Sequence, residues 1–433
     1  MDKIIISGGK PLSGEIEIGG AKNAALPILA ATLLSSEPHQ LKRVPKVVDI
    51  FTMQKLLCAM GAQISEQDDV CTIEIKQITS CEAQYEWVKT MRASVLVLGP
   101  LLARYGEAHV SLPGGCAIGV RPINLHLTAL SKMGAEIVVE HGMIHAKAKK
   151  LKGGTSPARQ RPLQGMPIHF EKSTVTGTEN IMMAATLAEG TTILTNAAQE
   201  PEIIDLACFL NGCGADITGA GTEQIVIHGV SVLSGFSRRG CTPYCIMPDR
   251  IETGTFMVAA AITGGDLMLR DCNPGHMESL IRLLKKTGVE ITSGKSTLHI
   301  RGKAIRAVDF TTMPYPGFPT DMQAQMMALM TVSNGLSKIT EAIFESRFGH
   351  AAELRRMGAK IYLEGNHAIV EGVKALSGAP VMASDLRASS SLILAGLVAE
   401  GETEVLRIYH LDRGYEKIEE KLSKVGADIR RIQ

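Results

Sequence analysis

One phrase recurs six times along the chain: an apolar residue, several helix formers, a glycine, Ala or Val, one polar residue and then Ile. It reads LLCAMGAQI at 56–64, LSKMGAEI at 130–137, FLNGCGADI at 209–217, LLKKTGVEI at 283–291, LRRMGAKI at 354–361 and LSKVGADI at 422–429. The glycines are Gly61, Gly134, Gly214, Gly288, Gly358 and Gly426, a period of about 70 residues that chance does not produce. Each copy reads as a helix stopped by a glycine just past its last turn and followed at once by a strand. An Ala/Leu/Met-rich helix and a short strand precede the phrase, as in NIMMAATLAEGTTILTN at 180–196. A hairpin follows it in most copies, as in ITSGKSTLHIRG at 291–302. The repeating unit is therefore helix, strand, helix, strand, strand.

A lone unit of that size buries too little apolar surface to be stable, so the units must share cores. With 433 residues, 45% of them hydrophobic, the chain has material for two or three domains. The sixth copy stops at Ile432-Gln433, before its second hairpin strand, and KIIISGGK at 3–10 matches TLHIRGK at 297–303 in pattern. The N-terminus is thus expected to close the C-terminal half. That gives a first domain over 22–230, holding repeats one to three, and a second over 1–21 plus 231–433, holding repeats four to six. Ala-rich helices paired with strands at this period fit none of the common solenoid patterns.

Bulk properties remove several function classes. A net charge of +1 disfavours a nucleic-acid or membrane surface built on overall electrostatics. The N-terminal apolar run is too short for a signal peptide, and no stretch approaches the ~18 apolar residues of a spanning helix. Nine cysteines are scattered without a Cys-x-x-Cys pair, against a disulfide framework or a zinc site. Most are expected to be small buried hydrophobes in a reducing cytoplasm. There is no P-loop, dinucleotide glycine pattern, Gly-x-Ser-x-Gly elbow or helical pair of metal ligands, so no cofactor or metal is expected.

Function should concentrate where copies of one unit differ. The first helix of each unit begins at a similar distance before its landmark glycine, at Lys22, Arg92, Thr176, Arg250, Asp321 and Arg387. Helix N-termini already suit anions, and cations added at this repeated position point to phosphate or carboxylate groups rather than to incidental surface ion pairs. In the second unit the loop after the first strand is Pro113-Gly114-Gly115-Cys116-Ala117-Ile118-Gly119-Val120-Arg121-Pro122. Its glycines allow close approach to a ligand, and a thiol near a guanidinium can exchange a proton near neutrality. The equivalent loop of the sixth unit, His410 to Tyr415, contains Arg413, and that of the fifth ends in Arg347. Both add guanidinium groups suited to carboxylate and phosphate.

Lys22-Asn23-Ala24-Ala25-Leu26-Pro27, the Pro-Gly-Gly-Cys-Ala-Ile-Gly loop at 113–119, Pro248-Asp249-Arg250-Ile251-Glu252, Phe318-Pro319-Thr320-Asp321, Asp385-Leu386-Arg387-Ala388 and Asp412-Arg413-Gly414-Tyr415-Glu416 resemble, in order and across the chain, the UDP-N-acetylglucosamine enolpyruvyl transferases of the EPSP synthase superfamily. The resemblance implies an α/β fold of two inside-out α/β barrels, three repeats each, closing over a cleft. It also implies transfer of the enolpyruvyl group of phosphoenolpyruvate to the 3-hydroxyl of UDP-N-acetylglucosamine with release of phosphate. That is the first committed step of bacterial peptidoglycan precursor synthesis.

Residue by residue, the resemblance makes Cys116 the proton donor to phosphoenolpyruvate, able to form an adduct with it. Lys22, Arg121 and Arg413 become the clamp on phosphate and carboxylate, with Asn23 beside Lys22. Arg92 is similar to a cation near the nucleotide, and Arg121, Pro122, Ile123, Asn124 and Leu125 to the uridine-binding run. Lys172, Ser173, Thr174 and Val175 match a second nucleotide-contacting segment. Asp321 resembles the carboxylate at the sugar hydroxyl and Ile343 a sugar-nucleotide contact, while Asp49, Arg347, Asp385 and Arg387 match charged cleft residues. Position 124 is Asn where the family more often carries Asp, and Lys149–Gly165 reads as an inserted exposed loop. A shikimate-type transferase would lack the loop cysteine, and a non-catalytic sugar-nucleotide sensor would have no use for Cys116 and Asp321 together.

Overall fold

The computed structural model describes residues 2–112, 123–153, 166–236 and 243–432. All six landmark glycines have positive φ, between 91° and 108°, where an L side chain is strained. At each one the next residue's N–H reaches back to a carbonyl of the preceding helix: Ala62 to Leu57, Ala135 to Leu130, Ala215 to Leu210, Val289 to Leu284, Ala359 to Leu354 and Ala427 to Leu422, at 2.9–3.3 Å. This is the Schellman closure, repeated six times. A Cβ on Gly134, Gly358 or Gly426 would meet nothing within 4 Å. At these three positions glycine is therefore required by backbone conformation, not by space.

The described residues divide into two units, one holding those between Gly20 and Met247 and the other combining residues up to Gly19 with those from Pro248 onward. Within each, the first helices of the repeats are buried all round. Arg250–Thr263, Gln323–Met330 and Leu386–Gly396 have almost every residue buried, as do the later turns of Lys22–Ala31 and Val175–Ala185. A helix apolar on every face belongs inside a core. Their buried hydroxyls bond back along the helix: Ser389, Ser390 and Ser391 donate to carbonyls three or four residues earlier, and so do Thr32, Thr186 and Thr331 at the helix ends. The second helices, such as Glu278–Thr287 with Leu280, Ile281, Leu283 and Leu284 inward, lie outside this centre with one apolar stripe.

Among the described residues, six four-stranded sheets surround the two cores, each of mixed direction. In the second repeat Glu107–Ser111 pairs antiparallel with Met143–Lys147, which pairs with Glu136–Glu140. A two-residue strand, Glu82–Ala83, adds parallel to the outer edge. The other five repeats follow the same order. The sixth repeat takes its hairpin strand from the N-terminus: Lys3–Ser7 lies between Glu402–Leu406 and Asp428–Ile432, with Ile5 opposite Glu404 and Arg430.

Two edge strands are supplied from distant sequence. Ser13–Glu17 runs parallel to Asp266–Arg270 in the fourth repeat's sheet, and Tyr244–Cys245 runs parallel to Leu41-Lys42 in the first repeat's sheet. The second of these corrects the expected boundary at 230/231. Tyr244 donates to the Asp205 carboxylate at 2.7 Å and packs edge-on against Phe209 and Phe236, so the chain stays with the first unit until Met247.

The cysteine expectation also needs correcting. Cys71, Cys213 and Cys272 are buried, but Cys58, Cys208 and Cys245 are exposed, Cys58 because it lies opposite the buried side, Ile50, Met53, Leu56 and Leu57, of the helix Val48–Ala59. Residues 154–165, most of the expected inserted loop, lie outside the described residues. The flanking Lys149 and Lys150 are exposed. Among the described residues no helix is long and apolar enough to cross a membrane.

Candidate active site

In the first unit the expected residues sit at helix beginnings. Lys22 is the first residue of Lys22–Ala31, a helix with no capping side chain and no acidic residue in its first turn. A cation there opposes the helix dipole. It is held by Asp49, whose carboxylate lies 3.3 Å from Lys22 Nζ with both side chains largely buried. Asp49 in turn occupies the first turn of Val48–Ala59, where an anion is favoured. Asn23 follows Lys22, and Arg92 opens the 3-10 segment Arg92–Val97.

Ile123 precedes the helix Asn124–Lys132, with Asn124 exposed at its first position and Leu125 leaning on the core. Thr174 caps the helix Val175–Ala185, its hydroxyl accepting from the Gly177 N–H at 3.3 Å, after exposed Lys172 and half-buried Ser173. These segments are tied by groups that sequence reasoning left unassigned. Asn180 donates to Val95 O at 2.9 Å, accepts from the Gly99 N–H at 2.6 Å and lies 3.1 Å from His126 Nδ1. The other His126 nitrogen is 3.3 Å from Thr176 Oγ1. Burial pushes the His126 pKa down to about 4, so the ring is neutral near pH 7 and accepts at Nδ1 while donating at Nε2.

The second unit gathers its charged residues more tightly, because three buried helices begin close together. Asp249 caps Arg250–Thr263 by accepting from the Ile251 and Glu252 N–H groups at 2.7 and 2.9 Å. Asp385 caps Leu386–Gly396 by accepting from those of Arg387 and Ala388 at 2.9 and 3.0 Å. Between these caps, Asp321 takes Arg347 Nη2 at 2.7 Å on one oxygen and Arg387 Nη2 at 2.9 Å on the other. Arg387 also donates to Tyr415 Oη at 3.3 Å, and Tyr415 Oη lies 2.8 Å from Thr255 Oγ1.

Burial alone would raise the Asp321 pKa, but the guanidiniums of Arg387 and Arg347 outweigh it and hold the carboxyl well below its usual range. Burial would lower the Arg387 pKa, and Asp321 and Tyr415 overcome that and raise it. Asp321 is therefore ionised near neutral pH, with both oxygens occupied. Arg413 closes the 3-10 segment Ile408–Arg413, near enough to add to the burial that lowers the His410 pKa.

Arg347 is fixed from a second side as well. Its Nη1 donates to Thr320 Oγ1 at 2.8 Å, and Thr320 Oγ1 donates to Glu341 Oε2 at 2.9 Å. The other oxygen of buried Glu341 accepts from Thr312 Oγ1 at 2.7 Å and from the N–H groups of Ile343 and Phe344 at 2.9 and 3.2 Å. Glu341 was missed in the sequence, and Thr320 was quoted there without a role. The one signal for Glu341 was its place two residues before Ile343.

The structure thus brings Asp321, Arg347 and Arg387 together, and joins Asp49 to Lys22. Ile343 belongs to the Glu341 loop, while Asp385 contributes a helix cap. Cys116, Arg121 and Pro122 lie outside the described residues.

Five of the six helix starts carry a cation, a carboxylate or a capping acid, and the third carries the Thr174 cap, on two α/β units of three repeats each. The chain belongs to the EPSP synthase family, whose model, described as EPSP synthase (3-phosphoshikimate 1-carboxyvinyltransferase), matches residues 6–422. Among curated relatives, the UDP-N-acetylglucosamine 1-carboxyvinyltransferase of Thermodesulfovibrio yellowstonii is 56% identical, covering 100% of both chains. That of Geotalea daltonii is 55% identical, with the same full coverage. Among solved structures, the enolpyruvyl transferase NikO from Streptomyces tendae superposes with a TM-score of 0.83 at 25% identity, over 99% of this chain and 98% of that one. EPSP synthase from Acinetobacter baumannii shares the fold, with a TM-score of 0.75 at 20% identity over 100% of both chains.

Proposed function

We propose that this enzyme transfers the enolpyruvyl group of phosphoenolpyruvate to the 3-hydroxyl of UDP-N-acetylglucosamine, in the cytoplasm, for peptidoglycan precursor synthesis. The observation that carries the choice of acceptor is the 55–56% identity over full length to carboxyvinyltransferases named for that sugar nucleotide. The chemistry required is an addition followed by an elimination. The sugar oxygen attacks C2 of the enol while C3 gains a proton, giving a tetrahedral adduct. C3 then loses a proton as the C2–O bond to phosphate breaks, leaving an enolpyruvyl ether and inorganic phosphate.

In this reading Cys116 supplies the proton to C3. Lys22, Arg121 and Arg413, with Asn23 beside Lys22, hold phosphate and carboxylate through the tetrahedral stage and the departure of phosphate. Arg92, the run 121–125 and Lys172 to Val175 hold the nucleotide, the neutral amide of Asn124 offering uracil both a donor and an acceptor. Asp321 accepts the sugar hydroxyl. Pinned by two guanidiniums it is a weak base, so it must give up one of them to the incoming hydroxyl and take the proton as the C–O bond forms.

The test is product analysis. Enzyme with phosphoenolpyruvate and UDP-N-acetylglucosamine should yield a nucleotide sugar heavier by one enolpyruvyl group, with the ether at the 3-oxygen by nuclear magnetic resonance. Recovery of unaltered sugar nucleotide under conditions where the protein is folded would refute the reading.

A further inference from the structure

We propose that Glu341 is a positioning residue for the acceptor sugar, acting through the Ile343–Phe344 backbone on one oxygen and through Thr320 and Arg347 on the other. The inference rests on the acceptor reading above and adds a residue to it. Glu341 is almost wholly buried, at 2% exposure, yet both its oxygens are used. Oε1 receives Thr312 Oγ1 and the N–H groups of Ile343 and Phe344, and Oε2 receives Thr320 Oγ1. Its backbone is fixed too: its N–H donates to Asn366 O at 2.9 Å, and its carbonyl accepts from Asn366 Nδ2 at 3.3 Å. Burying a carboxylate is costly unless its oxygens are hydrogen-bonded, and here both are.

The direction of each bond matters. Arg347 can only donate, so Thr320 Oγ1 accepts from it and must pass its own proton to Glu341. The sequence is therefore Arg347 to Thr320 to Glu341, with Arg347 also on Asp321 at 2.7 Å. An amide in place of the carboxylate breaks this order. In Glu341→Gln the amide oxygen must stay toward the Ile343 and Phe344 N–H groups, which turns the amide NH₂ toward Thr320. Thr320 Oγ1 can still accept from Arg347, but its own proton has lost its acceptor, so the link that fixes Thr320 and Arg347 to this loop is broken while the bulk of the side chain is unchanged. The loop carrying Ile343 and the arginine that orients Asp321 are thereby controlled by one buried acid, on the side that meets the sugar.

Glu341→Gln should raise KM for UDP-N-acetylglucosamine by roughly tenfold or more, as expected for a lost charge-assisted hydrogen bond. KM for phosphoenolpyruvate should stay within about twofold, a change small on the scale of one such bond. Thr320→Val, which cuts only the link to Arg347, should show part of this effect, and Thr320→Ser, which keeps the hydroxyl, should restore the wild-type value. The double variant Glu341→Gln/Thr320→Val should be no worse than Glu341→Gln alone, since both cut one chain. Unchanged sugar-nucleotide KM in Glu341→Gln, an equal rise for both substrates, or Thr320→Ser behaving like Thr320→Val would overturn the proposal. Wild-type enzyme that fails to use UDP-N-acetylglucosamine would instead overturn the acceptor reading and the proposal with it.

Discussion

Arg387 Nη2 lies 2.9 Å from Asp321 Oδ2, joining the first turn of the buried helix Leu386–Gly396 to the 3-10 turn Thr320–Met322 that leads into Gln323–Met330 of the preceding repeat. With Arg347 on the other oxygen at 2.7 Å, the carboxylate is oriented before any substrate arrives. The two arginine side chains are almost fully buried, at 5% and 6% exposure, while Asp321 keeps 27%. The open side of the group is thus the carboxylate. The proposed role as acceptor for the sugar hydroxyl requires this accessible carboxylate.

Asp321→Asn should lower turnover by at least roughly 10²-fold, the usual worth of a positioned proton acceptor, with phosphoenolpyruvate binding retained. It should also cost stability, since two buried guanidiniums lose their counter-charge. The pH dependence has a definite sign. Because the folded pKa of Asp321 is depressed, its contribution is fully present above the unfolded value of about 3.9 and is lost as pH falls through the folded one. The stability gap between wild type and Asp321→Asn, measured by urea unfolding, should be constant above about pH 4 and narrow below it. A gap that closes between pH 7 and 5 would contradict the depressed pKa.

Acid should weaken the first unit by a different route. Burial lowers the pKa values of His39 and His126 to about 4. The folded state therefore stays neutral at these sites while the unfolded chain binds protons from about pH 6.5 downward. Stability is lost progressively between pH about 6.5 and 4, by about 1.4 kcal/mol per pH unit for each ring. His126→Gln should have a shallower slope in that window when unfolding midpoints are compared with wild type. An identical slope would show that the buried ring titrates normally.

Gly358→Ala should destabilise by about 1–2 kcal/mol, the cost of a side chain in left-handed backbone, with turnover unchanged. Its φ is +91° and a Cβ would meet nothing within 4 Å, so the loss is conformational and Gly358→Asn should recover part of it. Thermal unfolding of the three proteins measures this. An alanine variant as stable as wild type would remove the conformational argument for the repeated glycine.

Cys116 should be the thiol whose replacement by Ser lowers turnover by roughly 10²-fold or more, with some activity kept by Cys116→Asp, because a carboxyl group can also donate a proton. Burial raises the pKa values of Cys58, Cys71, Cys81, Cys208 and Cys272, which reduces their share of reactive thiolate near neutrality. A phosphate-mimicking epoxide should therefore label Cys116 in preference to these five, as read by peptide mass spectrometry. Labelling mainly at one of them would contradict the assignment.

The repeat was legible in the sequence because its signals are local. A glycine with positive φ, a helix period and a hairpin each occupy a few residues, and Gly61 to Gly426 display all of them. The helix starts at Lys22, Arg250 and Arg387 were legible for the same reason. Tyr244–Cys245 and Ser13–Glu17 were not, since a short edge strand has no period of its own and pairs with residues about 200 positions or more away. Nor was Glu341 legible. Its importance lies in Thr312, Thr320 and two N–H groups that only the folded chain brings to one carboxylate.

The most direct test of the whole account is phosphate release from phosphoenolpyruvate, followed with two acceptors side by side under identical conditions. The account predicts rapid, stoichiometric release with UDP-N-acetylglucosamine and none above background with shikimate 3-phosphate. Release with shikimate 3-phosphate in place of the sugar nucleotide, or binding of UDP-N-acetylglucosamine by calorimetry without any release, would contradict it.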